Sequence, residues 1–254
     1  MPSFEAWPYE GIGWRLVEAQ HAVSTLKLTD DLGEQEILER LIEETKPEIS
    51  DECRHLDYLL ATPFRYGSVY PLGSRFRRAG RTLGVFYACE KVETAVAEIA
   101  FYRLLFFVES PATPWPDNPA EFTAFSVALK TERSIDLTAP PLSTDHATWT
   151  SLTDYAACQS LADAARASAI ALIRYESVRD PQRGKNLAVL DCAAFAEPRP
   201  LERRGFERRT WRLKLGPAGI HALCEFPIIK IGFDRAAFAA DPRVASFDWE
   251  RPGG

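Results

Sequence analysis

The sequence predicts an α+β fold with a mixed or antiparallel sheet. Strand-like and helix-like stretches interleave irregularly, without the regular strand–helix alternation that builds an all-parallel sheet. At 254 residues, 46% hydrophobic and 26% charged, the chain has the composition of a globular protein with a substantial core. No internal repeat or low-complexity tract divides it, so the length allows one large domain or two small ones.

Taken in order, 13–19 (GWRLVEA) reads as a strand. From Glu34 to Lys46 the apolar residues Ile37, Leu38, Leu41 and Ile42 fall on one helical face, and Pro47 is a natural stop. A second helix is expected over Ser50–Leu60, with Cys53, Leu56, Leu59 and Leu60 inward. Pro63, Gly67, Pro71 and Gly73 mark a long loop. The short apolar run 84–88 is a strand, and the amphipathic pattern after it runs through Glu98 to about Phe107, where Pro111, Pro114, Pro116 and Pro119 enforce a break. Residues 122–130 alternate as a strand, which Ser134–Leu137 extends. A loop over Pro140–Thr150, an alanine-rich helix over Thr153–Ala167 and a buried strand ending at Ser177 follow. The polar turn VRDPQRGKN leads to a strand, LAVLD. The last quarter holds a basic run (Arg199 to Arg209), a strand at Thr210–Leu215 and apolar segments from Leu223 to Phe233.

A net charge of -6 argues against a protein that coats nucleic acid. No apolar run approaches the roughly 20 residues that span a bilayer, so no membrane role is expected. The N-terminal MPSFEAWPYEG lacks a signal-peptide design, and a cytoplasmic location is expected. Five scattered cysteines without a CxxC pair read as free thiols in a reducing compartment.

The informative stretch is 74–98, SRFRRAGRTLGVFYACEKVETAVAE. Arg75, in a glycine-punctuated turn, has a planar fork suited to a diphosphate. Tyr87, near the end of a short strand, offers a ring for stacking on a flat heteroaromatic. Glu98 sits on a helix among small and aromatic neighbours, the setting of an active-site carboxylate. Ser177, at a strand end, has a hydroxyl within reach of a ribose or amide.

RFRRAGRTLGVFYACEKVETAVAE, followed later by IRYESVRDPQRGKNLAVLD, resembles the RES domain, a family named for an arginine, a glutamate and a serine. Carried across, Arg75-Phe76, Tyr87, Glu98 and Ser177 fill the family positions, with Asn186 in the turn after the serine. The arginine position departs from the family pattern: Ser74 separates Gly73 from Arg75, and Arg77, Arg78 and Ala79 precede Gly80. Arg65, Arg75 and Arg78 are therefore all candidates to hold the phosphates. The resemblance covers about residues 13–192 and implies a single domain. A helical insertion over about 32–60 and an extension over about 193–254 make it similar to the longer, ParT-type branch.

What the resemblance implies is a fold like the diphtheria-type ADP-ribosyltransferases and a toxin of a toxin–antitoxin pair. Such a toxin uses NAD+ as substrate, needs no other cofactor and no metal, and cleaves the nicotinamide–ribose bond. The acceptor of ADP-ribose is a host protein, water or phosphate. The implied partner is an Xre-type, ParS-like antitoxin that blocks the active site and carries the DNA contacts. The alternative is a non-catalytic nucleotide-binding regulatory module, which would tolerate loss of Glu98. Metal hydrolysis lacks an HExxH motif, with only the close pairs Cys53–His55 and His221–Cys224 to offer. Serine hydrolysis lacks a GxSxG elbow, and the basic run around Arg203 is an ordinary solvated face.

Overall fold

The computed structural model describes residues 5–19, 28–45, 49–65, 69–70, 73–81, 83–196 and 207–250. Its strands in chain order are β1 (Trp7–Glu18), β2 (Val69–Tyr70), β3 (Gly80–Arg81), β4 (Phe86–Cys89), β5 (Ala120–Asp136), β6 (Leu172–Glu176), β7 (Lys185–Val189), β8 (Arg208–Gly216), β9 (Gly219–Cys224) and β10 (Ile229–Phe233). The helices are α1 (Leu32–Thr45), α2 (Tyr58–Arg65), α3 (Val92–Glu109), α4 (His146–Trp149) and α5 (Ala156–Ala167). The mixed α+β architecture read from the sequence is the one observed.

The centre is the long antiparallel pair of β1 and β5, in register from Tyr9↔Thr131 to Glu18↔Phe122, with a register shift between Tyr9 and the outer pair Trp7↔Ser134. Around it the pairings close a ring. β1 meets β4 at Trp14↔Cys89, β4 pairs with β7, β7 with β6, and β6 returns to β5 in the single parallel contact. That parallel step is made possible by the crossover through α4 and α5, since parallel strands cannot be joined by a tight turn. Past β6, the start of β5 pairs instead with β8, and β9 and β10 extend the sheet as a wing.

Helix α3 packs against β1 and the C-terminal segment. Ten of its eighteen residues are buried, which is why it carries apolar residues on nearly all sides. Its inner face joins Phe122, Trp211, Phe238 and Val244 in one core cluster. A second cluster, with Phe76, Ile135, Ile173 and Leu190, lies under α5, and a third fills the ring around Phe86, Phe125 and Leu187. The turn after β6 docks on the first turn of α3 through Thr94 Oγ1, which donates to Asp180 Oδ2 at 2.8 Å. Gly184 is required there, because a Cβ would come within 2.0 Å of Thr94 Oγ1.

Several expectations shift. The helix expected over Ser50–Leu60 is a short 3-10 turn at Asp51–Cys53 followed by α2, which starts after Asp57, whose Oδ1 accepts from Leu59 N at 2.9 Å. The two strand pieces at 122–130 and 134–137 are one strand, β5, and the apolar segments of 223–233 form the β9–β10 hairpin. Helix α1 forms where its spacing placed it, but none of its residues is buried.

The free-thiol reading is corrected. Cys53 and Cys192 are joined in a disulfide, tying the segment before α2 to the end of the ring, while Cys89, Cys158 and Cys224 are free and buried. Their separation of 139 residues gives no sequence signal. Among the described residues no helix is long and apolar enough to cross a membrane, and no group of three or more His, Cys, Asp or Glu is arranged to hold a metal.

Candidate active site

The site begins at the tight turn Ser74–Arg77, closed by Ser74 N donating to Arg77 O at 2.7 Å and the reverse bond at 3.2 Å. Gly73 enters it at φ +67°, left-handed backbone that glycine adopts without strain. Gln159 of α5 donates to both Ser74 O and Arg77 O. The phenol of Tyr87 donates to or accepts from Ser74 Oγ at 2.8 Å and accepts from Phe76 N at 3.1 Å. Phe76 is fully buried, edge-on to Tyr175 with centroids 4.8 Å apart. Truncating such a ring costs about 3–5 kcal/mol, so Phe76 is the anchor that fixes Arg75 beside it.

Arg75 is buried and lines the cavity, but its fork is already engaged. Nη1 donates to Trp149 O at 2.6 Å and Nη2 to Ser151 O at 2.8 Å, while the guanidinium lies 4.7 Å from the Tyr155 ring centroid. Each terminal nitrogen thus spends one N–H on the 149–151 backbone, which fixes the guanidinium in the cavity wall. Arg78 is half-exposed and outside the cavity, bonded to Asp163 at 2.6 Å and Ser160 at 3.0 Å. Arg65 ends α2, and its side chain lies outside the described residues.

Glu98 projects from α3 into the same cavity. Its Oε1 accepts from Ser177 Oγ at 2.7 Å and from Asn186 Nδ2 at 2.6 Å. Its Oε2 has no hydrogen-bond partner among the described residues. Ser177 is fully buried and does not line the cavity. Its Oγ also accepts from Arg179 N at 3.2 Å and Asp180 N at 3.0 Å. The expectation that this hydroxyl reaches a ligand is corrected, since every direction open to it is occupied; it positions Glu98. Asn186 does reach the cavity, and its Oδ1 is buried without a partner.

The cavity has a volume of about 760 Å3, within the usual range for small-molecule sites. Arg75, Tyr87, Glu98 and Asn186 all line it, so residues from a turn, a strand, a helix and a second strand converge. Arg179 and Arg243 also line it and share one carboxylate, Asp241. Arg179 further donates to Leu152 O at 2.6 Å and Tyr155 OH at 3.1 Å, and lies 4.0 Å from the Phe101 centroid.

The cation that sequence reasoning missed is Arg15. It lines the cavity from β1, donates to Tyr87 O at 2.9 Å and stacks 4.9 Å from the Phe86 centroid, with no carboxylate partner among the described residues. Burial pulls its guanidinium below the usual arginine range, as happens when a charge is desolvated without a counter-ion. Burial, and then the charge of Glu98, pushes the buried Cys89 thiol well above its ordinary value.

Residues 49–215, more than half of the chain, match the RES domain. The chain belongs to the RES domain family. Arg75, Tyr87, Glu98, Ser177 and Asn186 all fall in the matched part, whereas Arg15 precedes it. No curated protein matches the sequence. Among solved structures this RES domain chain is similar to one in the M. tuberculosis MbcT-MbcA toxin-antitoxin complex, at 13% identity and a TM-score of 0.45, covering 82% of this chain and 87% of that one.

Proposed function

We propose that this RES domain protein is a toxin that consumes NAD+ by cleaving the bond between nicotinamide and ribose. The observation that carries the reading is Glu98, held at Oε1 by two donors, with Oε2 unpartnered in a cavity lined by arginines. Cleavage of the C–N glycosidic bond sends its electron pair to the pyridinium ring, so nicotinamide leaves neutral and needs no acid. Positive charge then develops on the ribose carbon, as in glycoside hydrolysis, and a fixed carboxylate beside it stabilises that charge. Asn186 Oδ1 accepts from a ribose hydroxyl or from the carboxamide. The arginines of the cavity wall, Arg75, Arg179 and Arg243, give it the positive potential that an anionic diphosphate needs. ADP-ribose passes to water, to phosphate or to a protein side chain, and the ring with its flanking helices is a variant of the diphtheria-type ADP-ribosyltransferase fold.

In this reading a dedicated antitoxin protein covers the mouth of the cavity, and the chain expressed without it arrests growth. The test is incubation of the purified chain with NAD+ and quantification of free nicotinamide by liquid chromatography, with mass analysis of the ADP-ribose product. Nicotinamide release with ADP-ribose, its 1″-phosphate or a mass-shifted protein is expected. Tight NAD+ binding with no release would select the non-catalytic regulatory module instead.

A further inference from the structure

The lining residues of α3 extend well past Glu98. Ile99, Tyr102, Leu105 and Glu109 continue along the same face, at the three- and four-residue spacings that stack side chains on a helix. Eleven residues at the helical rise carry this arm about 16 Å from Glu98 to Glu109. Across from it β1 contributes Trp14 and Leu16, which lie on one side of the strand because side chains alternate. The Trp14 ring is braced by Arg209, whose guanidinium lies 4.6 Å from its centroid. The arm is thus a slot with apolar and aromatic walls, open to solvent at Tyr102, and with a carboxylate at its far end.

Glu109 stands at the exposed end of this arm. It ends α3, where the helix dipole is negative, and no basic residue occupies the last turn. It has no hydrogen-bond or ion-pair partner among the described residues. Its carboxylate is an acceptor that no protein donor occupies among the described residues, and the flat apolar walls leading to it suit a ligand that carries its donor on a ring.

We propose that this arm is the adenine subsite, with the base between the Trp14, Leu16 and Leu105 side chains and Tyr102, and its exocyclic amino group donating to the Glu109 carboxylate. The proposal rests on reading the cavity as an NAD+ site. An extended dinucleotide with its nicotinamide ribose at Glu98 spans the arm from Glu98 to Glu109. The alternative occupant of an apolar slot, an aliphatic acceptor side chain, gains nothing from a terminal acceptor. The base does, because charge-assisted hydrogen bonds are the stronger kind.

The test compares NAD+ with nicotinamide purine dinucleotide, which carries hydrogen in place of the amino group. The wild-type chain is expected to favour NAD+ in kcat/KM by about tenfold or more, because the hydrogen on carbon does not donate to the carboxylate as the amino group does. In Glu109→Gln the acceptor is a neutral amide and accepts more weakly, so the preference shrinks to about twofold or less. Tyr102→Ala raises KM for both dinucleotides about tenfold, the usual effect of losing a base stack. If the chain binds both without turnover, the ratio of Kd values is read in the same way. Equal use of the two dinucleotides by the wild type, or a preference that survives Glu109→Gln, overturns the subsite while leaving the NAD+ reading intact. Neither binding nor cleavage of either dinucleotide overturns the NAD+ reading itself, and the subsite with it.

Discussion

Ser177→Ala should be far more damaging than the loss of one hydroxyl suggests. The hydroxyl donates to Glu98 at 2.7 Å and accepts from two backbone N–H groups, of Arg179 and Asp180, in a position with no solvent exposure. A hydrogen bond to a charged group contributes about 1.5–3 kcal/mol, and each buried donor left unsatisfied costs about 1–3 kcal/mol. Partial relaxation of the turn at 178–184 recovers some of this, so a net loss of about 3–5 kcal/mol is expected. For a domain of this size each kcal/mol moves Tm by about 2–4 °C, and a fall of about 10 °C follows. Scanning calorimetry or thermal fluorescence measures it. In nicotinamide release kcat should fall at least tenfold with little change in KM, because the hydroxyl touches Glu98 and not the substrate. A Tm within 2 °C of wild type together with a wild-type kcat would refute the positioning role.

Glu98→Gln keeps an oxygen that can accept from both Ser177 and Asn186, so Tm should change little. A unit charge about 4 Å from the developing cation at an effective dielectric near 20 contributes about 4 kcal/mol. Nicotinamide release should therefore slow about 10³-fold, and a rate within tenfold of wild type would count against the assignment. Thiol titration of the denatured chain should find three reactive cysteines before reduction and five after, and reduction should lower stability by about 2–4 kcal/mol; five before reduction would exclude the Cys53–Cys192 bridge. Stability should also decline above pH 9. Burial and Glu98 hold the Cys89 thiol above its ordinary 9.0 and the Tyr175 phenol above its ordinary 10.0, so beyond those values the unfolded chain has released protons that the folded chain retains. The unfolded state then binds fewer protons and is favoured as pH rises. Tm measured from pH 8 to pH 10 checks this, and Cys89→Ala should flatten the decline.

The helix that carries Glu98 was legible because its evidence is local, a long apolar stretch closed by prolines, and the half-buried Glu98 lines the cavity together with Tyr87 of the preceding strand. What could not be read were the partners that long-range packing supplies. The Arg75 fork is engaged by carbonyls at 149 and 151, in a stretch with no motif. The Ser177 hydroxyl meets a helix 79 residues earlier in the chain, so its strand-end position suggested ligand contact where it makes a structural one. Arg15 did leave a signal. Within β1 it shares a side with Gly13, whose Cβ would touch Ala88, Leu129 and Leu187, so an arginine there is directed inward and needs a reason. The mixed sheet was readable from alternation, whereas closure of the ring depends on one contact, Trp14 with Cys89, that no pattern announces.

The presence of Glu98 in this cavity bears on whether the site binds or reacts. A module built only to hold an anionic dinucleotide would keep its arginines free and exclude carboxylates, because a negative group near a diphosphate opposes binding. Here Arg75, Arg179 and Arg243 are engaged by protein groups, and the carboxylate is held by two donors to one oxygen while the other is unpartnered. A carboxylate fixed beside the carbon on which positive charge forms during bond cleavage is an interaction that strengthens in the transition state and so accelerates a reaction. Asn186 sharpens the point. Its Nδ2 is spent on Glu98, and its buried Oδ1 has no partner among the described residues. Asn186→Asp replaces that donor to Glu98 with a second carboxylate at hydrogen-bond distance, so NAD+ turnover should collapse even though the side chain keeps its shape. Retained turnover in that variant would show that the Glu98 charge is not what the site is built around.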